Sequence, residues 1–346
     1  MAAEHPAVTP PPARRPTRAA WLRRLLMVAA AVVITVVVVR LAGPVDWSAV
    51  GSALGHLDAW HVPDLLALLV VRQVLNALPL ALFIPGVSPW RATQNDLGAI
   101  LMSMIAPPPS DVALRTAMFA SWGVPVAKGL AGTVMNTLTF YIVRFAAPLA
   151  GFVLLAVATR PPGLRWFELV SIAVAAGITV GILLVLRSEP LARRTGVAAA
   201  RLVRRLGRDV AEHDWAEACA RFRTDVESHF ERGFPCSLLA YAAMLAVDLT
   251  MLVLALRFVG VGADAVSLLD VAIAYLFAYP FTLFPFSGLG VVDALVLAAV
   301  VEAGGLEVEA ATLAALAVWR TFTVLGPVLM GLAAVAHWRR GSRSSG

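Results

Sequence analysis

Phe284-Pro285-Phe286-Ser287-Gly288-Leu289-Gly290-Val291-Val292-Asp293 interrupts an apolar run that extends from Leu268 to Ala303. In a water-soluble chain, Pro, Ser and two Gly together mark an ordinary loop. Here two apolar arms flank them, which places the loop at membrane depth. Lipid cannot satisfy free N–H and C=O groups, so irregular backbone is tolerated there only against protein or a wet cavity. Broken helices of this kind form binding sites in many transporters. Pro107-Pro108-Pro109-Ser110-Asp111 reads as an earlier break of the same kind.

The surrounding composition sets the class. Of 346 residues, 60% are hydrophobic and 14% are charged, and the mean hydropathy is +0.80. Soluble domains do not have this balance. Six further apolar segments lie at Leu25–Leu41, Leu65–Phe83, Gly129–Ala158, Phe167–Leu186, Cys236–Leu256 and Ala310–His337. Most are long enough to cross a hydrocarbon core. The expectation is an all-α polytopic membrane protein with about six full transmembrane helices and two re-entrant hairpins. Residues 1–20, rich in Pro, Ala and Arg, read as a disordered cytoplasmic tail. Residues 21–338 read as one integral-membrane domain, and 339–346 as a second short tail.

Arginine placement sets the orientation. The formal net charge is +6, and Lys128 is the one lysine. The basic N-terminal tail and the ten-arginine segment within 187–233 belong on the cytoplasmic side. Both requirements hold only if Asn95–Trp122 dips in and returns as a hairpin. The same count makes Leu268–Ala303 begin and end outside, either as a re-entrant hairpin or as two short crossings. Both termini then lie in the cytoplasm, in a bacterial plasma membrane. Of 28 Lys and Arg, 20 fall inside, 4 outside and 4 within apolar segments.

An inverted-topology repeat follows, with one unit over about 63–158 and the other over about 236–338. Pro109 precedes Arg144 by 35 residues, and Pro285 precedes Arg320 by 35. Asp96 and Asp270 open the two hairpins in this reading. Between the units, Val197–Phe230 carries apolar residues at three- and four-residue steps. That is an amphipathic cytoplasmic segment, packed on the bundle or lying on anionic lipid.

Arg72, Arg115, Arg144 and Arg320 fall within apolar segments, as do Asp248, Asp293 and Asp111. A charge at mid-bilayer costs about 2.5–3.5 kcal/mol on insertion scales, so such groups face a partner or a cavity. Internal pairs such as Arg144 with Asp111 or Arg320 with Asp293 would lock the bundle. Alternatively, arginines would offer planar forks to an anionic headgroup. On the second reading Arg115, Arg144, Arg320, Asp111, Asp293, Ser110 and Ser287 line a headgroup site. Pro109, Pro285, Gly288 and Gly290 shape the backbone around it, and Arg72 is a structural partner. No Walker-type phosphate loop, intramembrane His site, metal spacing or hydrolytic arrangement is present in the sequence. The sequence thus calls for no cofactor, metal, catalytic residue or nucleic-acid partner, and the protein reads as no enzyme.

At these residues the chain resembles the flippase-like membrane domain of the lysylphosphatidylglycerol synthase transmembrane family. The resemblance runs from about Arg23 to Trp338. The first family motif has Pro, then Gly-Glu, then Arg; here it reads Pro109-Ser110-Asp111-Val112-Ala113-Leu114-Arg115. The second is Pro-x-Pro-Gly-Gly-x-Gly with a following Glu; here it is Pro285–Gly290 with Asp293, and Arg320 matches a later Arg. Ser replaces Gly and Asp replaces Glu in both motifs, and Phe286 replaces a Pro. The resemblance implies translocation of an anionic or phosphate-bearing lipid between leaflets. The alternative it implies is a non-catalytic subunit that presents a lipid or polyprenyl-linked substrate to a separate transferase.

The arginine count is tested by cysteine labelling. Cysteines introduced at Ser121 and Gly196 are both expected to react with a membrane-impermeant maleimide from the cytoplasmic side only. Labelling of Ser121→Cys from outside alone would contradict both the hairpin and the repeat.

Overall fold

In the computed structural model, residues 47–106, 109–157 and 212–343 are described, with isolated helical positions at 173, 177, 190 and 197. Every regular element among them is a helix. The elements in chain order are α1 (Trp47–Leu54), α2 (His61–Phe83), α3 (Pro89–Ile105), α4 (Ser110–Ser121), α5 (Val126–Val157) and α6 (Glu212–Phe258). Then follow α7 (Leu268–Ala278), a 3-10 segment (Tyr279–Leu283), a single turn (Pro285–Gly288), α8 (Val291–Gly304) and α9 (Glu309–Arg320). A π-helical turn (Thr321–Leu325) links α9 to α10 (Gly326–Arg343).

Four of the expected spans are present as long apolar helices: His61–Phe83, Val126–Ala156, Gly233–Phe258 and Leu306–Gly341. The expected spans at Leu25–Leu41 and Phe167–Leu186 lie outside the described residues, as do the 1–20 tail and most of 187–211. The chain is therefore a multi-pass helical membrane protein. The end of the expected amphipathic segment falls inside one 47-residue helix, α6, which runs through Pro235 and whose apolar span begins at Gly233.

The first hairpin is longer than its apolar stretch. Ser88 caps α3, its hydroxyl accepting from the Arg91 amide at 3.3 Å, with Pro89 at the first helical position. Those are ordinary helix-start signals, so the hairpin begins at Pro89 rather than Asn95. Asp96 consequently sits in the middle of α3, buried, and does not open the hairpin. Asp270 does mark a helix start: Ser267 and Asp270 form a reciprocal capping box at the head of α7.

Contacts at the helix ends show which ends lie together. The Trp338 indole of α10 donates to the Ser121 hydroxyl at 2.8 Å, Trp90 meets His337 edge-on at 6.1 Å, and Arg91 lies over Trp122. The start of α3, the end of α4 and the end of α10 thus share one face. At the other face, His61 stacks on Phe258 at 3.8 Å, and Arg257 binds the Val261, Gly262 and Val266 carbonyls at 2.6–2.7 Å. A Cβ on Gly304 would stand 2.7 Å from Val266, so both ends of the second hairpin meet there. The two hairpins therefore open at opposite ends of α2.

Packing between helices relies on small residues. A Cβ on Gly331 of α10 would come within 2.6 Å of the Leu97 carbonyl of α3. Lipid tails are as apolar as Leu, so close backbone approach and dispersion replace the hydrophobic drive that packs soluble helices. The buried centre holds Tyr241 and Met251 of α6, Tyr275 of α7, Val296 of α8 and Trp319 of α9.

Candidate functional site

The second break is set by backbone chemistry. Pro280 cannot donate to a preceding carbonyl, and the helix tightens into 3-10 geometry at Tyr279–Leu283 before Phe284 turns extended. Ser287, Gly288 and Gly290 follow with φ of 58°, 70° and 86°. A Cβ on Gly288 would also run into the Phe281 carbonyl and stand 2.8 Å from Val292. Ser287 is the one described non-glycine residue with positive φ, a conformation kept only where the surroundings impose it.

Arg320 imposes it. Its Nη1 donates to the Ser287 carbonyl at 3.2 Å, and its Nε donates to Asp293 Oδ1 at 2.6 Å. Asp293 Oδ2 accepts the Gly290 amide at 2.7 Å, so the carboxylate caps α8 as well. The pairing of Arg320 with Asp293 open to the sequence is thus formed. Arg320 ends α9, immediately before the π turn, and its Nη2 is buried without a hydrogen bond.

Arg115 staples the first hairpin. Its Nη1 donates to Asn95 and its Nη2 to Asp96, each at 2.8 Å. Asn76 of α2 donates to the other Asp96 oxygen at 2.6 Å. Asn95, Asp96 and Asn76 were not among the site residues expected from sequence. Two adjacent polar residues inside an apolar arm were the available signal. The pairing itself depends on where the two arms cross, which spacing does not give.

Arg72 likewise has a partner. Its Nη2 meets Asp248 Oδ2 at 3.2 Å and its Nη1 donates to Gln73 at 2.7 Å, while the Trp319 indole donates to Asp248 Oδ1 at 3.2 Å. Its reading as a structural partner agrees with this geometry.

Arg144 differs from the other three. It is 9% exposed and has no ion pair with Asp111 or any other described carboxylate. Its guanidinium lies 4.3 Å from the Phe140 ring centre and 5.5 Å from that of Tyr141, and its Nε has no hydrogen bond. Asp111 is half-buried in the first turn of α4 and makes no ion pair among the described residues. The Ser110 hydroxyl is buried without a partner.

Three buried tyrosines connect these groups. Tyr241 donates to Asn136 Oδ1 at 2.7 Å. Phe140, beneath the Arg144 guanidinium, packs on Tyr241 at 5.2 Å, and Tyr275 packs on Tyr279 at 5.5 Å and on Trp319 at 6.0 Å. Trp319, bonded to Asp248, carries the Arg320 guanidinium 4.4 Å over its ring. One polar layer thus runs through the apolar bundle.

A family model, the lysylphosphatidylglycerol synthase TM region, matches residues 27–331. The chain belongs to that family. Membership makes this lysylphosphatidylglycerol synthase TM-region protein a membrane protein related to lipid handling. No curated protein and no solved structure shows a significant match to it.

Among the described residues of this family member, the buried side-chain atoms without a hydrogen bond are Nε of Arg72 and Arg144, Nη2 of Arg320, Nε2 of Gln73 and Gln94, and the hydroxyls of Ser110, Tyr275 and Thr312. Each can donate, and no carboxylate oxygen is among them. Five of them, on arginine and glutamine, can only donate.

The Arg320–Asp293 contact predicts coupled losses. Arg320→Gln strands a carboxylate that keeps only the Gly290 amide. It is expected to cost of order 2–3 kcal/mol, below the full buried-pair penalty because Asp293 is only half-buried. Unfolding in detergent measures this, and adding Asp293→Asn should recover most of the loss. Equal stability of Arg320→Gln and the unchanged protein would contradict a structural pair.

Proposed function

We propose that this protein is a flippase-like translocase that moves an anionic, phosphate-bearing lipid between the leaflets of the bacterial plasma membrane. The carrying observation is Arg144: a guanidinium buried at bilayer depth with no described carboxylate beside it. An unmatched buried charge is costly, and in membrane proteins it marks a substrate path. A phosphate oxyanion supplies both the missing charge and the missing acceptors, and it fits the fork geometry of arginine.

The other arginines take different parts. Asp96 and Asp293 already neutralise Arg115 and Arg320, and these two arginines hold the hairpins in shape. The orphaned Nη2 of Arg320 gives the headgroup a further donor at the second tip. Ser110, Ser287, Asp111 and Asp293 border the path at the two tips, and Gly288 and Gly290 allow its backbone to bend.

The hairpins are re-entrant on this reading. The 17 and 12 residues of α3 and α4 fall short of the ~20 that cross a hydrocarbon core. Opposite openings of the two hairpins support an inverted repeat, which would offer one half-site to each leaflet in turn. Positive-inside asymmetry puts both termini in the cytoplasm. The acyl chains stay in lipid, so the site opens sideways between helices. No bond is made or broken, and no cofactor or metal is called for.

Scrambling assays test this. Purified protein in phosphatidylcholine vesicles carrying a fluorescent phosphatidylglycerol is expected to move the probe between leaflets. Arg144→Gln should slow transfer about tenfold to a hundredfold, the equivalent of the ~1.5–3 kcal/mol of charged hydrogen bonds. Arg144→Lys, which keeps the charge and loses the fork, should fall between. Lipid binding without transfer by the unchanged protein would instead identify a lipid-presenting subunit. Full activity of Arg144→Gln would remove the site.

A further inference from the structure

Four span ends share one face of the bundle. One span ends at Phe83, two begin at Val126 and Gly233, and one ends at Gly341. A Cβ on Gly233 would stand 3.4 Å from the Leu82 carbonyl and 3.6 Å from the Phe83 ring. Trp338 bonds Ser121, and Trp90 meets His337 edge-on. The open end of the first hairpin lies at this face, where α3 starts and α4 ends.

Its charge is of one sign. Residues 84–95, 119–131 and 333–341, which surround these ends, contain Arg91, Lys128, Arg339 and Arg340 and no Asp or Glu. Arg91, Lys128 and Arg340 are exposed. Arg91 lies 5.6 Å from the centre of the Trp122 ring, and neither it nor Lys128 makes an ion pair among the described residues. The opposite face reverses this. Around His61 and Phe258, Asp58, Asp64, Asp264, Glu302 and Glu307 are exposed. Arg257 there is occupied by three backbone carbonyls.

Both faces present a tryptophan. Trp90 is 61% exposed on the first and Trp60 is 85% exposed on the second. Tryptophans at span ends sit at headgroup level, which puts the neighbouring charges among lipid phosphates. Lys and Arg at that depth attract anionic lipid within a Debye length. A soluble acidic partner would meet them only across the headgroup layer.

We propose that the face built by Trp90, Arg91, Trp122, Lys128 and Arg340 is a docking surface for anionic phospholipid headgroups. They gather at the open end of the first hairpin and not at that of the second. Lipid collects there whether or not Arg144 carries it across.

The test uses the full chain with Cys219 and Cys236 changed to Ser and one fluorophore-labelled cysteine. Val126→Cys places the label on the basic face, and Leu306→Cys, at a 78% exposed position, places it on the acidic one. Phosphatidylcholine vesicles carry a small, equal fraction of either phosphatidylglycerol or phosphatidylcholine with a nitroxide high on its acyl chain. At Val126→Cys, quenching by the phosphatidylglycerol is expected to be about fivefold more efficient than by the phosphatidylcholine. That ratio is the equivalent of the ~1 kcal/mol that one basic residue supplies near an anionic surface. At Leu306→Cys the two lipids should quench equally. Adding Arg91→Gln, Lys128→Gln and Arg340→Gln together should bring the ratio at Val126→Cys to about one. Salt at 1 M, where charges are screened beyond about 3 Å, should do the same with the cations intact, which needs no further variant to fold. Equal quenching by both lipids at Val126→Cys in low salt would overturn the docking surface. So would a phosphatidylglycerol preference of the same size at Leu306→Cys, or one at Val126→Cys that survives both the charge changes and the salt.

Discussion

The organising constraint is the cost of burying a guanidinium in hydrocarbon. Each of the four arginines in the apolar segments must meet a counter-charge, an acceptor or an aromatic face. Arg72, Arg115 and Arg320 meet Asp248, Asp96 and Asp293. Each pair does structural work: the first joins α2 to α6, the second closes the first hairpin on itself, and the third fixes the left-handed tip of the second. Among the described residues, Arg144 meets only the rings of Phe140 and Tyr141. A cation over aromatic rings gains about 0.5–2 kcal/mol, too little to stand in for a carboxylate at such depth. The proposed lipid site is the answer to that residual charge.

On the proposed repeat, the placement of acids along the chain accounts for why Arg144 lacks the partner that Arg320 has. Eight residues beyond Pro285 stands Asp293, and eight residues beyond Pro109 stands Ala117. The first hairpin carries Asp96 on its first arm, paired with Arg115, and Asp111 at the start of its second, where it forms no ion pair among the described residues. The matched 35-residue spacings therefore deliver two arginines into unequal settings, one locked and one free.

Much of this was legible in the residues. Apolar run lengths identified the four described spans, because hydrophobic thickness imposes a length that no tertiary contact alters. Pro285, Gly288 and Gly290 marked the broken hairpin, because the backbone freedom of those residues is local. The Arg320–Asp293 pair was named as one of two possibilities. The other, Arg144 with Asp111, does not form, and the true partner of Arg115 was missed. Ion pairing joins residues as far apart as Arg72 and Asp248, and it depends on how helices are rotated about their axes. A pattern along the chain says which residues are buried but not which buried residues face one another. Tyr275 and Tyr279 pack in the buried core, Tyr275 edge-on against Trp319, beside these ion pairs.

The central claim is that a lipid phosphate completes the coordination of Arg144. Its most direct measurement is a structure of the protein in nanodiscs containing phosphatidylglycerol, at a resolution that shows the phosphate. The account predicts phosphate oxygens about 2.7–2.9 Å from the Arg144 guanidinium, the range of charge-assisted bonds, with the Asp96 and Asp293 pairs intact. A headgroup bound elsewhere, with Arg144 still enclosed by its aromatic rings, would contradict it.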